Sequence, residues 1–179
     1  MRVRDHIALS TAAAALLAPR FGRGVLGFWA GGVLVDADHY LWFYLSERRM
    51  SLRAAVGLFN EADPPQHSAT RAFHSPAALL ALLLVTLHRP RVLPIAAGMG
   101  LHLALDALHE VRMDHARAAA LRRDDFSCQA CGTRGPQIGT HVCRQPRLLP
   151  SYGTQNLVSL CGPCHVDAHR IAAGSTSWS

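Results

Sequence analysis

The sequence predicts a chain of two parts, a mainly α-helical apolar region followed by a small cysteine-rich module. All five cysteines fall between positions 128 and 164 of the 179-residue chain. The preceding part has no cysteine and is rich in Ala, Leu, Val and Gly, arranged in apolar runs of helical length. Because the composition changes along the chain, we expect an apolar helical region at 1–110, a helical connector at 111–125 and the cysteine-rich module at 126–179.

Four apolar segments make up the N-terminal region, and each connection between them contains arginine. The segments lie at 7–19, 25–45, 77–88 and 92–109. A bilayer span needs about 20 apolar residues, so the first and third segments are too short to cross alone. The second and fourth are long enough but carry aspartate and histidine. We expect a bundle of apolar helices embedded in or lying against a membrane; a soluble all-helical domain is the alternative.

Ionisable side chains are concentrated inside these apolar segments, where they are costly and tend to mark function. His102 and Asp106 are four residues apart, so a helix places both on one face. Carboxylates together with imidazoles suit zinc, manganese or iron. We predict a metal centre built from His6, Asp36, Asp38, His39, His74, His102 and Asp106. The alternative is that these histidines pack between helices or lie at an interface.

Three short motifs in this region carry a family resemblance: D-x-D-H at 36–39, R-x-x-H-S at 71–75 and G-x-x-x-H-x-x-x-D at 98–106. They resemble the bacterial inner-membrane-associated, metal-dependent hydrolase family. The resemblance implies a metal centre near one membrane surface and hydrolysis of a substrate that it does not specify. The chain departs from the family at Val35, where proline usually precedes the first aspartate.

The cellular location follows from the same resemblance and from the N-terminus. The first residues are basic and then apolar, like a secretory signal, but Asp5 and His6 interrupt the basic start and no cleavage box follows. We therefore expect the segment to be retained, at the bacterial inner membrane, with the cysteine-rich module in the cytoplasm. A cytoplasmic protein is the alternative. In a reducing cytoplasm, paired cysteines hold metal rather than form disulfides.

Four of the cysteines form two CxxC pairs, Cys128 with Cys131 and Cys161 with Cys164. Two such pairs at this separation can close a tetrahedral site of four thiolates around Zn²⁺. A small module with few core residues needs this support, because structural zinc contributes directly to folding. The pattern therefore predicts a structural zinc site.

The residues between and after the cysteine pairs extend the pattern. The stretches FSCQACG, GTHV, NLVSLCGPCH and HVDAH resemble the HNH nuclease family, both its restriction-type members with paired CxxC knuckles and the DNase colicins. The resemblance implies a ββα-metal fold, a small α+β, treble-clef-like arrangement. It makes His141 the catalytic general base and Asn156 a catalytic residue that braces the loop or lies near the metal. It makes His165 and His169 ligands of a catalytic divalent ion such as Mg²⁺, Mn²⁺, Ni²⁺ or Zn²⁺.

General chemistry supports those roles. Neutral imidazole, with a pKa near 6.5, can accept a proton at cellular pH, which suits His141. If the residues after Cys164 are helical, His165 and His169 share one face. The chain departs from the family at Thr140, where a histidine or aspartate ligand is usual. That departure puts metal affinity and catalysis in question.

The segment that follows His141 is basic. Cys143 is expected to be a free thiol, although exchange with one of the zinc ligands is an alternative. Arg144 and Arg147 are candidate phosphate contacts, and a solvated basic loop is the other interpretation. Residues 116–179 contain seven arginines and three aspartates, so they hold +4 of the chain's net charge of +6. Such an excess suits a polyanionic partner.

These observations predict a metal-dependent HNH endonuclease that hydrolyses DNA phosphodiesters and is tethered to membrane lipid by its N-terminal helices. Two alternatives remain. The module could bind nucleic acid through its zinc-dependent fold without catalysis, because Thr140 replaces a ligand. Otherwise the chemistry could belong to the N-terminal His/Asp centre. The oligomeric state is not predicted.

Overall fold

The computed structural model describes residues 2–48, 50–59, 72–144 and 151–174. The chain divides into two compact units, Met1–His109 and Glu110–Ser179. The arginine of the motif at 71–75 lies outside the described residues.

The first unit is helical throughout its described ranges. Its helices are α1 (Val3–Phe21), α2 (Gly24–Val33), α3 (Ala37–Glu47), α4 (Leu52–Phe59), α5 (Pro76–His88) and the first part of α6 (Leu93–Arg123). Short 3₁₀ turns, Leu34–Asp36 and Pro90–Val92, precede α3 and α6. The apolar segments predicted from the sequence are thus helices, broken where the chain turns.

The helix ends follow from local sequence. Helix α1 stops at Gly22, whose φ of 51° is in the left-handed region that glycine adopts readily. Helix α5 begins after Ser75, whose hydroxyl accepts a hydrogen bond from the Ala78 N–H at 3.1 Å. Pro76 takes the first helical position, where its missing N–H costs nothing.

Small residues let helices of the first unit approach closely. A Cβ atom on Gly98 of α6 would overlap the carbonyl oxygen of Phe28 on α2, and one on Gly31 would overlap the carbonyl oxygen of Ile95. The Ser10 hydroxyl of α1 donates to the Gly32 carbonyl at 3.3 Å. This contact brings α1, α2 and α6 together, so polar residues on these helices converge in the interior.

The second unit contains the rest of α6, two short strands and a final helix. Strands β1 (Gly139–Val142) and β2 (Leu157–Leu160) pair antiparallel, with Gly139 opposite Leu160 and Val142 opposite Leu157. Helix α7 (Gly162–Gly174) follows β2 directly. Two small apolar cores hold this unit, formed by Met113, Ala116, Ala120 and Leu157, and by Cys128, Ile138, Leu160 and Cys161.

The structure confirms the predicted fold class, a mainly helical N-terminal region and a small C-terminal ββα segment bearing four clustered cysteines. Among the helices in the described ranges, one, spanning Pro90–Arg123, is long and apolar enough to cross a membrane. Helix α5 has no buried residue and exposes Leu80, Leu84 and Leu87. Membrane association stays a prediction.

Candidate metal centres

The four paired cysteines converge in the second unit. Their sulfur atoms lie within 4.8 Å of one another, and Sγ of Cys131 is 3.6 Å from Sγ of Cys161. The first pair lies in a tight turn in which the Gly132 N–H donates to the Cys128 carbonyl at 2.8 Å. The second pair joins the end of β2 to the first turn of α7. Four thiols in this arrangement match the donor set of a structural zinc site.

The surroundings of these cysteines favour thiolates beside a cation. Hydrogen bonds from backbone N–H groups, first that of Cys161, lower the pKa of Cys128 to about 6. The Thr133 side chain and backbone lower the pKa of Cys131. Hydrogen bonds with the neighbouring thiols, first Cys161, raise the pKa of Cys164 to about 12. A Zn²⁺ ion would favour the deprotonated form of all four thiols, because metal ligands must be thiolates.

Three histidines form a second cluster in this unit. His141 lies on β1, and His165 and His169 lie one turn apart on α7. Their ring centroids are separated by 4.8 to 5.0 Å, and Nε2 of His165 is 3.2 Å from Nε2 of His169. One nitrogen from each ring fits within 4.8 Å of the others. Three imidazoles at these distances can hold one divalent ion.

Asn156 stands beside this cluster as a brace. Its side-chain oxygen accepts from the Arg144 N–H at 2.9 Å, and its amide donates to the Arg144 carbonyl at 2.8 Å. The Cys143 N–H donates to the Asn156 carbonyl at 2.9 Å. These three bonds tie the segment after β1 to the turn before β2. Asn156 therefore holds the segment that follows His141 on the chain.

The other predicted residues of this module lie outside the two clusters. Thr140 is opposite Ser159 in the strand register, so its side chain lies on the sheet face opposite to that of His141. Cys143 is exposed and is not among the four clustered cysteines. Arg144 is exposed, as a phosphate contact requires. Arg147 lies outside the described residues.

The seven predicted residues of the N-terminal centre come together from three helices and two connections. His6 lies on α1, Asp36 in the 3₁₀ turn, Asp38 and His39 on α3, His74 before α5, and His102 and Asp106 on α6. His6 and His102 stack with ring centroids 3.7 Å apart. Nε2 of His6 is 3.0 Å from Oδ1 of Asp106, 100 positions along the chain. Ionisable groups at this density inside an apolar unit could hold metal.

Asp38 orients two imidazoles rather than facing the centre itself. Its Oδ1 accepts from Nδ1 of His39 at 2.7 Å, and its Oδ2 accepts from Nδ1 of His74 at 3.2 Å. The Phe73 N–H also donates to Oδ2, at 3.1 Å. Each histidine therefore turns its Nε2 away from Asp38. Carboxylates hold ligating histidines in this way behind metal ions.

His102 is fixed by the main chain. It is fully buried, and its Nδ1 donates to the Gly32 carbonyl at 2.9 Å. That bond selects the tautomer with a lone pair on Nε2. Nε2 lies 3.1 Å from Nε2 of His74, 3.5 Å from Oδ2 of Asp106 and 3.6 Å from Oδ1 of Asp36. Nε2 of His102 therefore lies close to three other atoms that could ligate a metal ion.

Two buried polar atoms of the cluster have no hydrogen-bond partner. They are Oδ2 of Asp36 and Nδ1 of His6. A buried unpaired polar atom costs roughly 1 to 3 kcal/mol, and ligation of a cation would satisfy it. The donor set and these two atoms both fit a metal centre.

The charges of the cluster respond to burial and to each other. Burial lowers the pKa of His6 despite its bond to Asp106. Burial also opposes the charge on His74, but its hydrogen bonds to Asp36 and Asp38 outweigh that effect and raise its pKa to about 9. Despite burial, hydrogen bonds from the histidines hold the pKa values of all three carboxylates below their usual range. The centre thus holds three ionised carboxylates, whose negative charge favours a cation beside them.

Sequence reasoning missed two main-chain contributors, the Gly32 carbonyl and the Phe73 N–H. The glycine beside His102 in space gave no chemical signal, because its role is carried by the backbone. Comparisons of the chain with known protein families, with curated proteins and with solved structures gave no significant match.

Proposed function

We propose that the C-terminal unit is a metal-dependent endonuclease of the HNH type that hydrolyses phosphodiester bonds in DNA. The observation that carries the proposal is the convergence of His141 from β1 with His165 and His169 from α7. The zinc-type cysteine cluster supports it, because its second pair joins the end of β2 to the start of α7, the helix that carries His165 and His169.

The three histidines would have different roles in hydrolysis. His165 and His169 would hold a divalent ion, which would supply a Lewis acid for the phosphate and the leaving oxygen. His141 accepts the proton of the attacking water as the new O–P bond forms and the bond to the leaving oxygen breaks. Asn156 positions the segment behind His141 through its two bonds to Arg144. The excess of arginine in residues 116–179 suits DNA as substrate.

Plasmid nicking by the full chain in detergent tests this proposal, with Mg²⁺, Mn²⁺, Ni²⁺ and Zn²⁺ each supplied in turn. Removing a general base costs about 10²- to 10⁴-fold in rate, so we expect that loss in His141→Ala. His165→Ala is expected to lose cleavage by removing a ligand. His115→Ala, an exposed histidine on α6, is the matched control and should cleave normally.

Equal cleavage by His141→Ala and the parent chain would contradict the proposal. Salt-dependent DNA binding by a folded, zinc-loaded chain that cuts with none of the four ions would also contradict it. That second result would support the nucleic-acid-binding module without catalysis.

A second function is favoured by a separate observation, the unpartnered Oδ2 of Asp36 within the buried His/Asp cluster. We propose that this cluster is the centre of a metal-dependent hydrolase acting on a small or lipid-linked phosphoester. Its histidines would hold the metal, which supplies a Lewis acid, and Asp38 would keep the rings of His39 and His74 in place. The cluster lies within the first unit, so it is independent of the cysteine-rich fold.

Hydrolysis of p-nitrophenyl phosphate and bis(p-nitrophenyl) phosphate by the full chain tests this second function. His102→Ala should abolish metal-dependent turnover, because it removes a buried donor at the centre of the cluster. His88→Ala, an exposed histidine of α5, should leave turnover unchanged. Turnover that persists in His102→Ala but disappears in His165→Ala would assign the activity to the C-terminal trio and overturn this function.

A further inference from the structure

The donor atoms of the N-terminal cluster fall into overlapping groups rather than around one point. Asp36 forms one group with His6 and His102 and another with His39 and His74, the atoms within each group lying within 4.8 Å of one another. His74 and His102 form a third group with Asp106. The aspartate is therefore shared between two sets of imidazoles.

The two oxygens of Asp36 have different surroundings. Oδ1 lies 3.2 Å from Nε2 of His74 and 3.6 Å from Nε2 of His102. Oδ2 is buried and has no hydrogen-bond partner, while the side chain as a whole is 9% exposed. Because Oδ1 lies among the imidazoles and Oδ2 is unpartnered, the two oxygens could take different cations, and carboxylates suit hard divalent ions.

The imidazoles on either side of Asp36 are held separately. On one side, Asp38 accepts hydrogen bonds from Nδ1 of both His39 and His74, and Nε2 of His74 lies 3.2 Å from Oδ1 of Asp36. On the other side, the Gly32 carbonyl accepts a hydrogen bond from Nδ1 of His102, which stacks on His6. Different hydrogen-bond acceptors thus orient the imidazoles of the two groups that share Asp36, and such bonds fix the orientation of metal ligands.

We propose that the N-terminal cluster is a two-metal centre in which Asp36 bridges two divalent ions. One ion is held by His39 and His74 with Asp36, and the other by His6, His102 and Asp106 with Asp36. The inference rests on the hydrolase proposed for this cluster and specifies its substrate class. Paired divalent ions would stabilise both the attacking and the leaving oxygens of an in-line displacement at phosphorus, so we take phosphate esters as the substrate class of this centre.

Binding of Mn²⁺ to the full chain tests this inference through metal content and electron paramagnetic resonance. The background variant His165→Ala/His169→Ala removes the C-terminal trio, and zinc stays on the four cysteines. We expect two Mn²⁺ per chain and the spectrum of an exchange-coupled pair, with half the manganese hyperfine spacing of an isolated ion. Asp36→Ala should lose the coupled spectrum and at least one ion. Glu47→Ala, an exposed carboxylate on α3, should keep both.

The outcomes separate the two levels of the proposal. One Mn²⁺ per chain with the spectrum of an isolated ion overturns the two-metal centre but leaves a hydrolase with one metal. A coupled spectrum that survives in Asp36→Ala overturns the bridging role. If the background variant is folded, with the circular dichroism of the parent chain, and binds no Mn²⁺, both the two-metal centre and the hydrolase are overturned. Unfolding of Asp36→Ala does not obscure the result, because the parent background alone distinguishes one ion from two.

Discussion

Replacing Cys128 by serine is expected to remove one zinc ion per chain and to unfold the small β-hairpin and the start of α7. Cys128 is buried and lies within the four-cysteine cluster. The fully buried part of its local core is small and consists, besides Cys128, of Ile138, Leu160 and Cys161. Structural zinc contributes about 10 to 16 kcal/mol of apparent binding free energy in zinc-finger peptides. That is comparable to the total stability of a folded domain, which is about 5 to 15 kcal/mol.

Cys143→Ser is the matched control, because Cys143 is exposed and outside the cluster. Zinc content by mass spectrometry and amide hydrogen exchange over β1, β2 and α7 measure the effect. We expect the control to keep its zinc and its protection, and Cys128→Ser to lose both while α1 and α2 keep theirs. Equal zinc content in the two variants would show that the thiols do not hold the ion.

Short-range patterns made the C-terminal module predictable. A CxxC pair fixes two sulfurs within one tight turn, and a four-residue interval on α7 fixes His165 and His169 on one face. The prediction of four clustered cysteines is confirmed, with the ββα segment around them. The nuclease activity and the DNA partner stay predictions, because they depend on a substrate and an ion that spacing does not specify.

The N-terminal cluster was predictable in membership but not in role. Ionisable residues in apolar helices are costly, and that cost singled out the seven residues. It did not indicate that both oxygens of Asp38 would accept hydrogen bonds from His39 and His74, or that one oxygen of Asp36 would have no partner. Those roles depend on how α1, α3 and α6 pack. His6 and Asp106 are 100 positions apart in the sequence and meet only because the helices pack together. Sequence periodicity does not predict such a contact.

Helix packing also determines whether His102 can serve the cluster, and Gly98→Ala is expected to disrupt it. Gly98 precedes His102 by one helical turn on α6, and a Cβ there would overlap the carbonyl oxygen of Phe28. Because the obstacle is backbone, it cannot rotate away, and α6 must move from α2. That movement would draw His102 from the Gly32 carbonyl, which now accepts its Nδ1–H at 2.9 Å.

Gly100→Ala on the same helix is the matched control, since its new Cβ would meet only Leu79, at 3.9 Å. Alanine is favoured over glycine inside a helix by about 1 kcal/mol, so the control should be slightly more stable than the parent. Overpacking costs about 1 to 3 kcal/mol and occasionally more, so Gly98→Ala should be less stable by at least that amount in urea unfolding. It should also bind Mn²⁺ more weakly. If both variants unfold at the same urea concentration, α2 and α6 do not meet at Gly98. The Gly32 carbonyl would then not be what holds His102 in place.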